Sequence, residues 1–198
     1  MSDYRPSLRD RFRTWARRSL LARLRVLTEP ASTRLLDLGG GTGAATTVFG
    51  TGARELVVRE PNGHRVGQGR SAGAPVVFSQ GVAEGLPFGP EQFDRVVSLM
   101  SLHHFSDAQQ ALNEAARVLT PEGRLVVYDL DPTTRRGRLA AFLAGGVMHH
   151  AFGFSSPDEI ARKLTAAGFR DVHEEKFGPG AFIIAEKRER TGALPKRL

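Results

Sequence analysis

One segment of this 198-residue chain constrains its fold more than any other: residues 35–43, with the sequence LLDLGGGTG. An apolar run that carries an acid and ends in a glycine cluster predicts a buried strand followed by a tight loop. Glycine adopts positive φ and lets a ligand approach the backbone closely. Residues 44–49 can begin a helix, whose free N–H groups would face an anionic part of the ligand. We therefore predict a loop that binds a nucleotide-like cofactor; a glycine-rich turn without a ligand is the alternative.

A second strand signal, at residues 55–60, ends in the acid Glu60. This acid follows Gly39 by about 20 residues, the spacing at which a carboxylate accepts hydrogen bonds from the ribose hydroxyls of a bound nucleotide. Gly39, Gly41 and Ala44 also fit the looser G-x-G-x-x-G/A pattern of dinucleotide-binding proteins. The glycines and Glu60 therefore leave open which nucleoside-containing cofactor is bound.

Further segments follow in a fixed order. They are residues 80–88 (QGVAEGLPF), 93–99 (FDRVVSL), 102–105 (LHHF) and 114–127 (EAARVLTPEGRLVV). With these segments and its glycine loop, the chain resembles the class I S-adenosylmethionine-dependent methyltransferases, in the branch of the ubiquinone and menaquinone C-methyltransferases. The resemblance covers about residues 35–131, with a looser similarity as far as Lys187. It implies S-adenosylmethionine as the cofactor and S-adenosylhomocysteine as its product.

The resemblance implies a cofactor-binding site that can be assigned residue by residue. Asp37 would interact with the amino group of the cofactor, fix the loop by accepting backbone N–H bonds, or have a purely structural role. Glu60 would bind the ribose, Pro61 would continue the turn beside the adenine, and the segment after the fourth strand would pass beside the sulfonium. The predicted cofactor-binding residues are Asp37, Gly39, Gly40, Gly41, Gly43, Glu60, Pro61, Val82, Ala83, Glu84, Ser98, Leu99 and Met100.

The chain departs from the family pattern at one of these positions. Where the family often has Asp-Ala-Glu, this sequence has Val82, Ala83 and Glu84. The aspartate that accepts a hydrogen bond from the adenine amino group is missing, so the backbone at Val82 or Ala83 would replace it. A hydrogen bond to a charged acceptor contributes about 1.5–3 kcal/mol. We therefore expect weaker cofactor binding than is typical of the family.

The predicted catalytic residues are three histidines, because histidine has a pKa near neutral pH and is the usual general base. His103 and His104 follow the fourth strand, beside the expected position of the methyl group; the family often has a histidine here in a structural role. His150 belongs to a glycine-rich loop with His149, where a solvated pair is the alternative. The resemblance implies that residues 132–155 form a lid over the substrate.

The rest of the chain alternates strand and helix signals. We predict an α/β fold, a Rossmann-like doubly wound sheet with helices on both faces. Strands are predicted near residues 34–38, 55–60, 76–79, 95–99, 124–130, 171–177 and 181–187, and helices near 108–119 and 157–167. The resemblance implies a mostly parallel sheet whose last strand is antiparallel. Residues 1–198 are expected to form a single methyltransferase domain.

The charge is concentrated at the termini. The chain has 28 lysines and arginines against 21 acidic residues, and many of the arginines lie in residues 1–29. Apolar residues there recur at steps of three and four, which predicts a basic amphipathic helix. We interpret its arginines as a solvated face, with contacts to a membrane surface or to RNA phosphates as alternatives. Residues 188–198 are expected to form a basic, flexible tail.

The sequence contains no cysteine. Thiolate metal sites and thiol nucleophiles are therefore excluded, and no metal site is predicted. No run is long enough for a transmembrane helix and no signal-peptide pattern follows the N-terminus, so we expect a cytoplasmic protein. We expect C- or O-methylation of a small apolar or aromatic molecule, in a pocket that a second subunit of a homodimer could complete. The alternatives are an RNA methyltransferase and a cofactor-binding cyclase or regulatory subunit that does not methylate.

Overall fold

A computed structural model describes residues 8–149 and 153–187, with side chains described for 17–143 and 153–187. The helices in these ranges are α1 (Leu8–Thr28), α2 (Ala44–Phe49), α3 (Gly63–Ser71), α4 (Ala108–Val118), α5 (Arg135–His149) and α6 (Pro157–Ala166). The strands are β1 (Arg34–Leu38), β2 (Glu55–Glu60), β3 (Val77–Gln80), β4 (Phe93–Leu99), β5 (Leu119–Leu130), β6 (Phe169–Phe177) and β7 (Gly180–Lys187). A single 3₁₀ turn, Leu102–His104, follows β4. Residues 188–198, predicted to be a tail, lie outside the described residues.

The seven strands form one sheet in the order β3-β2-β1-β4-β5-β7-β6. Strands β1 to β5 pair in parallel, and β7 is antiparallel to both β5 and β6. The predicted fold class is confirmed, including the antiparallel last strand. The strand order reverses between β1 and β4, and open sheets of this kind bind ligands outside the carboxyl ends of the strands at such a switch point.

Alternate residues of the central strands bury opposite faces of the sheet. Leu36 packs in a core with α4 and α6, whereas Leu35 packs in a second core with α1 and α2. The predicted N-terminal helix is present as α1, which buries Leu21 and Leu24 in the second core. No helix in the described part of the chain combines the length and the apolar character needed to cross a bilayer.

The structure differs from the sequence-based prediction at β5, which begins at Leu119 rather than near residue 124. Its first residue pairs with Phe93, and the register then shifts before Arg95 pairs with Arg124. A bulge of this kind accommodates Pro121, which ends α4 but is compatible with extended backbone.

His149 and His150 were predicted to lie in a glycine-rich loop. For the residues up to His149, this prediction was wrong. Residues Arg135–His149 form the 15-residue helix α5, so His149 ends a helix. Its first half is rich in arginine, leucine and alanine, which are good helix formers, and the Thr134 hydroxyl accepts the Gly137 N–H at 2.9 Å. His150 lies outside the described residues.

Two glycines of α3 provide a test of how this helix packs on the glycine loop. A Cβ at Gly69 would lie 2.5 Å from the Thr42 carbonyl oxygen and against the ring of Phe78, whereas a Cβ at Gly67 meets nothing within 4 Å. We expect Gly69→Ala to lower the free energy of unfolding by about 1–3 kcal/mol through overpacking. Gly67→Ala should raise it by up to about 1 kcal/mol, because alanine is the better helix former. Urea denaturation measures both, and equal effects would contradict the close packing at residue 69.

Candidate functional site

A cleft of about 360 Å³ lies at the switch point, where β1 and β4 end. Six predicted cofactor-binding residues line it: Asp37, Gly39, Gly40, Gly41, Leu99 and Met100. The sequence did not point to three other lining residues, Arg17 of α1 and Arg65 and Gln68 of α3. The cleft is therefore formed by the glycine loop, the end of β4 and two helices.

The glycines of the loop are required for two different reasons. Gly39 has φ 76°, and a Cβ there would lie 2.5 Å from Ser101 Cβ, so this glycine allows close packing. Gly41 has φ 61°, but the nearest atom to its Cβ position is Cδ of Arg65 at 4.0 Å. The backbone at Gly41 therefore faces open space in which a ligand can approach it. Gly43 precedes α2 as its N-cap, also with positive φ.

Asp37 is buried, and only one of its two carboxylate oxygens has a hydrogen-bond partner. Its Oδ2 accepts a hydrogen bond from the Thr46 hydroxyl at 2.5 Å, and its Oδ1 has no hydrogen-bond partner. Burial raises the pKa of Asp37 to about 7; the Thr46 hydrogen bond opposes this rise, and the charge of Glu60 adds to it. Buried polar atoms are nearly always paired in folded proteins. An unpaired carboxylate oxygen in the wall of a cleft therefore suits a cationic ligand.

Glu60 is also buried, but both of its oxygens have partners. Oε2 accepts the Gly41 N–H at 3.0 Å, and Oε1 accepts the Asn62 N–H at 2.9 Å. Asn62 is the N-cap of α3 and accepts the N–H groups of His64 and Arg65. Glu60 thus holds the glycine loop to the start of α3. One role predicted for Asp37 was to fix the loop by accepting backbone N–H groups. In the structure, Glu60 accepts these N–H groups.

The loop after β3 is organised by Arg59, which sequence reasoning missed. Its guanidinium and Nε donate four hydrogen bonds of 2.8–3.0 Å, to Val82 O, Ser79 Oγ, Gln80 O and Gly85 O. The sequence signal that could have indicated this role is an arginine that follows the apolar residues of β2, directly before Glu60. Arg59 thereby fixes the backbone at Val82, one of the two positions expected to contact the adenine.

The residues of the predicted adenine segment point in different directions. Val82 is exposed and Ala83 is buried. The carboxylate of Glu84 accepts the N–H of Asp107, the N-cap of α4, at 3.1 Å. The side chain of Glu84 is therefore engaged with α4, and Pro61 is exposed beside the start of α3.

The end of β4 is held in a tight turn beside the cleft. Met100 has φ 52°, an unusual value for a residue with a side chain, and its N–H donates to Tyr128 O at 2.8 Å. Ser98 is buried behind the cleft, with its hydroxyl 2.8 Å from that of Ser101. The Ser101 hydroxyl donates to Leu38 O at 2.6 Å and so joins the ends of β4 and β1.

His103 is held by the carboxylate of Asp129 at the end of β5. Its Nδ1 lies 2.9 Å from both carboxylate oxygens, and its backbone N–H donates to Oδ2 at 3.3 Å. Its ring contacts those of His104 and Phe154, whose centroids are 3.9 and 4.0 Å away. A carboxylate only accepts hydrogen bonds, so Nδ1–H is the donor to Asp129; in the neutral imidazole with this tautomer, Nε2 is an acceptor.

His103 faces a second cavity rather than the cleft. This cavity has a volume of about 160 Å³, and its lining includes Leu102, His103, Phe105, Asp129, Ile160 and Lys163. His104 is exposed at the surface of the 3₁₀ turn. Of the predicted catalytic histidines that the structure describes, His103 thus contacts a carboxylate that orients its ring, and it lines a cavity.

Comparisons with known proteins agree with this architecture. A family model described as "Methyltransferase domain" matches residues 36–127. The demethylmenaquinone methyltransferase of Clavibacter sepedonicus is 32% identical, over 83% of this chain and 76% of the relative. The uncharacterized methyltransferase YcgJ of Bacillus subtilis is 35% identical over 50% of this chain, and the match spans only 41% of that relative.

A solved structure supports the fold independently. The crystal structure of YcgJ from Bacillus subtilis superposes with a TM-score of 0.72 and covers 87% of this chain and 99% of that one. Sequence identity over this superposition is 21%, so the likeness extends to the fold alone.

Proposed function

The chain belongs to the class I S-adenosylmethionine-dependent methyltransferases, in the branch of the ubiquinone and menaquinone C-methyltransferases, and we propose that it methylates a small apolar or aromatic molecule. One observation carries this proposal. Asp37, which has one oxygen without a partner, and Gly41, whose backbone is open to a ligand, line the same cleft. A cofactor that brings an ammonium group and lies against bare backbone fits both features.

The residues of the cleft fit the amino-acid part of S-adenosylmethionine. Oδ1 of Asp37 would accept from the ammonium group, which would also favour the ionised form of this carboxyl. Arg17 lines the same cleft from α1 and would pair with the carboxylate of the cofactor. The two charges of the amino acid would thus meet opposite charges from different elements of the fold.

The remaining predicted residues would hold the nucleoside. Glu60 keeps acceptor capacity after its two backbone bonds, because each carboxylate oxygen has a second lone pair. It would use this capacity for the ribose hydroxyls. The adenine would lie between Pro61 and the backbone at Val82 and Ala83, a segment that Arg59 holds in place.

When bound, the cofactor supplies an electrophilic methyl group on its sulfonium. The residues of the chain would bring the acceptor into line with it and keep water away. Leu99 and Met100 provide an apolar wall where the cleft meets the end of β4. We propose that Nε2 of His103 takes the proton from the acceptor carbon or hydroxyl, and that Asp129 keeps the imidazole in the required tautomer.

The proposed substrate class rests on the segment that would cover the site and on the substrate named for one relative. The Clavibacter relative is named a demethylmenaquinone methyltransferase, so its named substrate is an apolar quinone. In this chain, residues 132–155 would cover the site, and the ring of Phe154 already packs on His103. An aromatic acceptor of the quinone type, in its reduced and ionisable form, fits this environment.

Label transfer tests the proposed reaction. The purified protein is incubated with methyl-labelled S-adenosylmethionine and a cell extract, which is then split into small-molecule, RNA and protein fractions. We expect label in the small-molecule fraction that partitions into organic solvent. Label in the RNA fraction would assign the activity to nucleic acid, and cofactor binding without any transfer would indicate a non-methylating member of the fold.

The pKa of Asp37 predicts that cofactor binding depends on pH. The carboxyl is half protonated near pH 7 in the free protein and must be ionised to meet an ammonium group. We expect the affinity for S-adenosylhomocysteine to rise about tenfold between pH 6 and pH 8, as a single titration with a pKa near 7 requires. Isothermal titration calorimetry of the wild type measures this rise.

Two variants control this measurement. Asp37→Asn should bind more weakly and lose the pH dependence, because the amide does not titrate in this range. Asp107→Asn removes a carboxylate from the α4 N-cap, where asparagine is an equally good cap, and should bind like the wild type. The same pH dependence in Asp37→Asn as in the wild type would refute the assignment.

The histidine proposal predicts a separation of turnover from binding. We expect His103→Ala to lower kcat by about 10²–10⁴, the usual contribution of a general base, with unchanged affinity for S-adenosylhomocysteine. Asp129→Asn should move the pH profile of kcat, because the imidazole loses its orienting charge. His173→Ala, on the exposed face of β6, serves as the control. If substitution of His103, His104 and His150 in turn left kcat unchanged, none of these three histidines would be the base.

A further inference from the structure

The outward face of α5 carries a continuous apolar patch. Leu139, Phe142 and Leu143 are 59%, 55% and 68% exposed. Their spacing of three and four residues places them side by side on one face of the helix. Gly137 and Ala141 are buried and pack this helix on the rest of the protein. Three adjoining large apolar side chains in solvent differ from the single exposed residues that are normal on protein surfaces and indicate an interaction surface.

A cluster of arginines adjoins this patch. Arg135, Arg136 and Arg138 are exposed in the first turns of α5, and no acidic residue occurs in the helix. Cations at a helix N-terminus oppose the helix dipole, each at a cost of about 0.3–1 kcal/mol. Arg138 donates to Thr133 O at 3.1 Å, so this cost falls mainly on Arg135 and Arg136. An anionic partner outside the chain would offset it.

We propose that this face of α5, made of Arg135, Arg136, Arg138, Leu139, Phe142 and Leu143, docks on an anionic lipid surface. An apolar face with arginines at its end is the composition of helices that lie in the plane of a membrane interface. The leucines and the phenylalanine enter the boundary of the acyl chains. The long arginine side chains extend to the lipid phosphates.

In residues 17–28 of α1, where the structure describes side chains, charge occurs without a comparable group of adjoining apolar side chains; Val26 is exposed. Arg18 and Arg25 of α1 are exposed, but Leu21 and Leu24 are buried in the core. Contact through this part of α1 would therefore be mainly electrostatic and would be lost in salt. Contact through α5 adds burial of apolar surface, which salt does not weaken.

The position of α5 connects lipid docking with the site. The helix follows β5 directly, at the edge of the sheet where the strands from β1 to β5 end and the cleft and the second cavity lie. Docking would bring this edge against the lipid, so that an acceptor dissolved in the bilayer enters without crossing water. This last step rests on the proposed function, whereas the docking itself does not.

Vesicle co-sedimentation tests the docking. The full chain is mixed with vesicles of phosphatidylcholine alone, or of phosphatidylcholine with phosphatidylglycerol, at low and at high salt. We expect binding to the anionic vesicles that is partly retained at high salt. The double variant Leu139→Ser/Phe142→Ser should weaken this binding about tenfold or more, because two apolar side chains no longer enter the lipid. Val77→Ser replaces a side chain that is 56% exposed on β3 and should bind like the wild type.

A charge variant separates the two parts of the surface. Arg135→Gln/Arg136→Gln/Arg138→Gln should remove the preference for anionic over neutral vesicles. Circular dichroism melting confirms that each variant is folded, which is expected because all the substituted side chains are exposed.

Three results would overturn the proposal. The first is absence of vesicle binding by the wild type. The second is binding that Arg18→Gln/Arg25→Gln on α1 abolishes and that the α5 variants leave intact. The third is a concentration-dependent dimer that Leu139→Ser/Phe142→Ser dissociates, without vesicle binding, which would assign the face to a second copy of the chain. None of these measurements involves methyl transfer, so a failure here is distinguishable from a failure of the proposed reaction.

Discussion

The geometry of the cleft depends on two buried carboxylates at the ends of adjacent parallel strands. Glu60, at the end of β2, accepts two backbone N–H groups and fixes the glycine loop against α3. Asp37, in β1, keeps one oxygen unpaired, and the negative charge of Glu60 makes its ionisation still less favourable. A cation in the cleft would relieve both the missing hydrogen bond and the repulsion. The unpaired oxygen of Asp37 costs the free protein stability. A ligand that pairs with this oxygen would recover that free energy, which would add to its affinity.

The order of the elements was accessible from the sequence, because it depends on local signals that agree with one another. The apolar strands, the glycine loop and Pro121 after α4 predicted the parallel sheet. The helix α3 was missed, since Gly63, Gly67 and Gly69 lower its helix propensity and its start depends on the Asn62 cap. The helix α5 was missed because the glycines before His149 and His150 predicted a loop, whereas its first half, apart from Gly137, consists mainly of good helix formers.

The site was predictable only where its residues are close in sequence. Asp37 and the glycines lie in one segment, and Leu99 and Met100 are neighbours at the end of β4. Arg17 enters the cleft from α1, and its position depends on how that helix packs. Asp129 is 26 residues from His103, and the pairing of β4 with β5 brings the two together. Contacts of this kind follow from the topology of the sheet and have no local pattern in the sequence.

The segment from Ser98 to His103 lines both the cleft and the second cavity, and its contacts indicate how the two would act together. It is tied to β1 through Ser101 and to β5 through Met100 and through Asp129. These bonds fix Leu99 and Met100 relative to His103, and alignment of two reactants needs such rigidity. Of the helices outside this framework, α1 reaches the cleft through Arg17. The fixed segment therefore suits the alignment of a methyl donor with its acceptor.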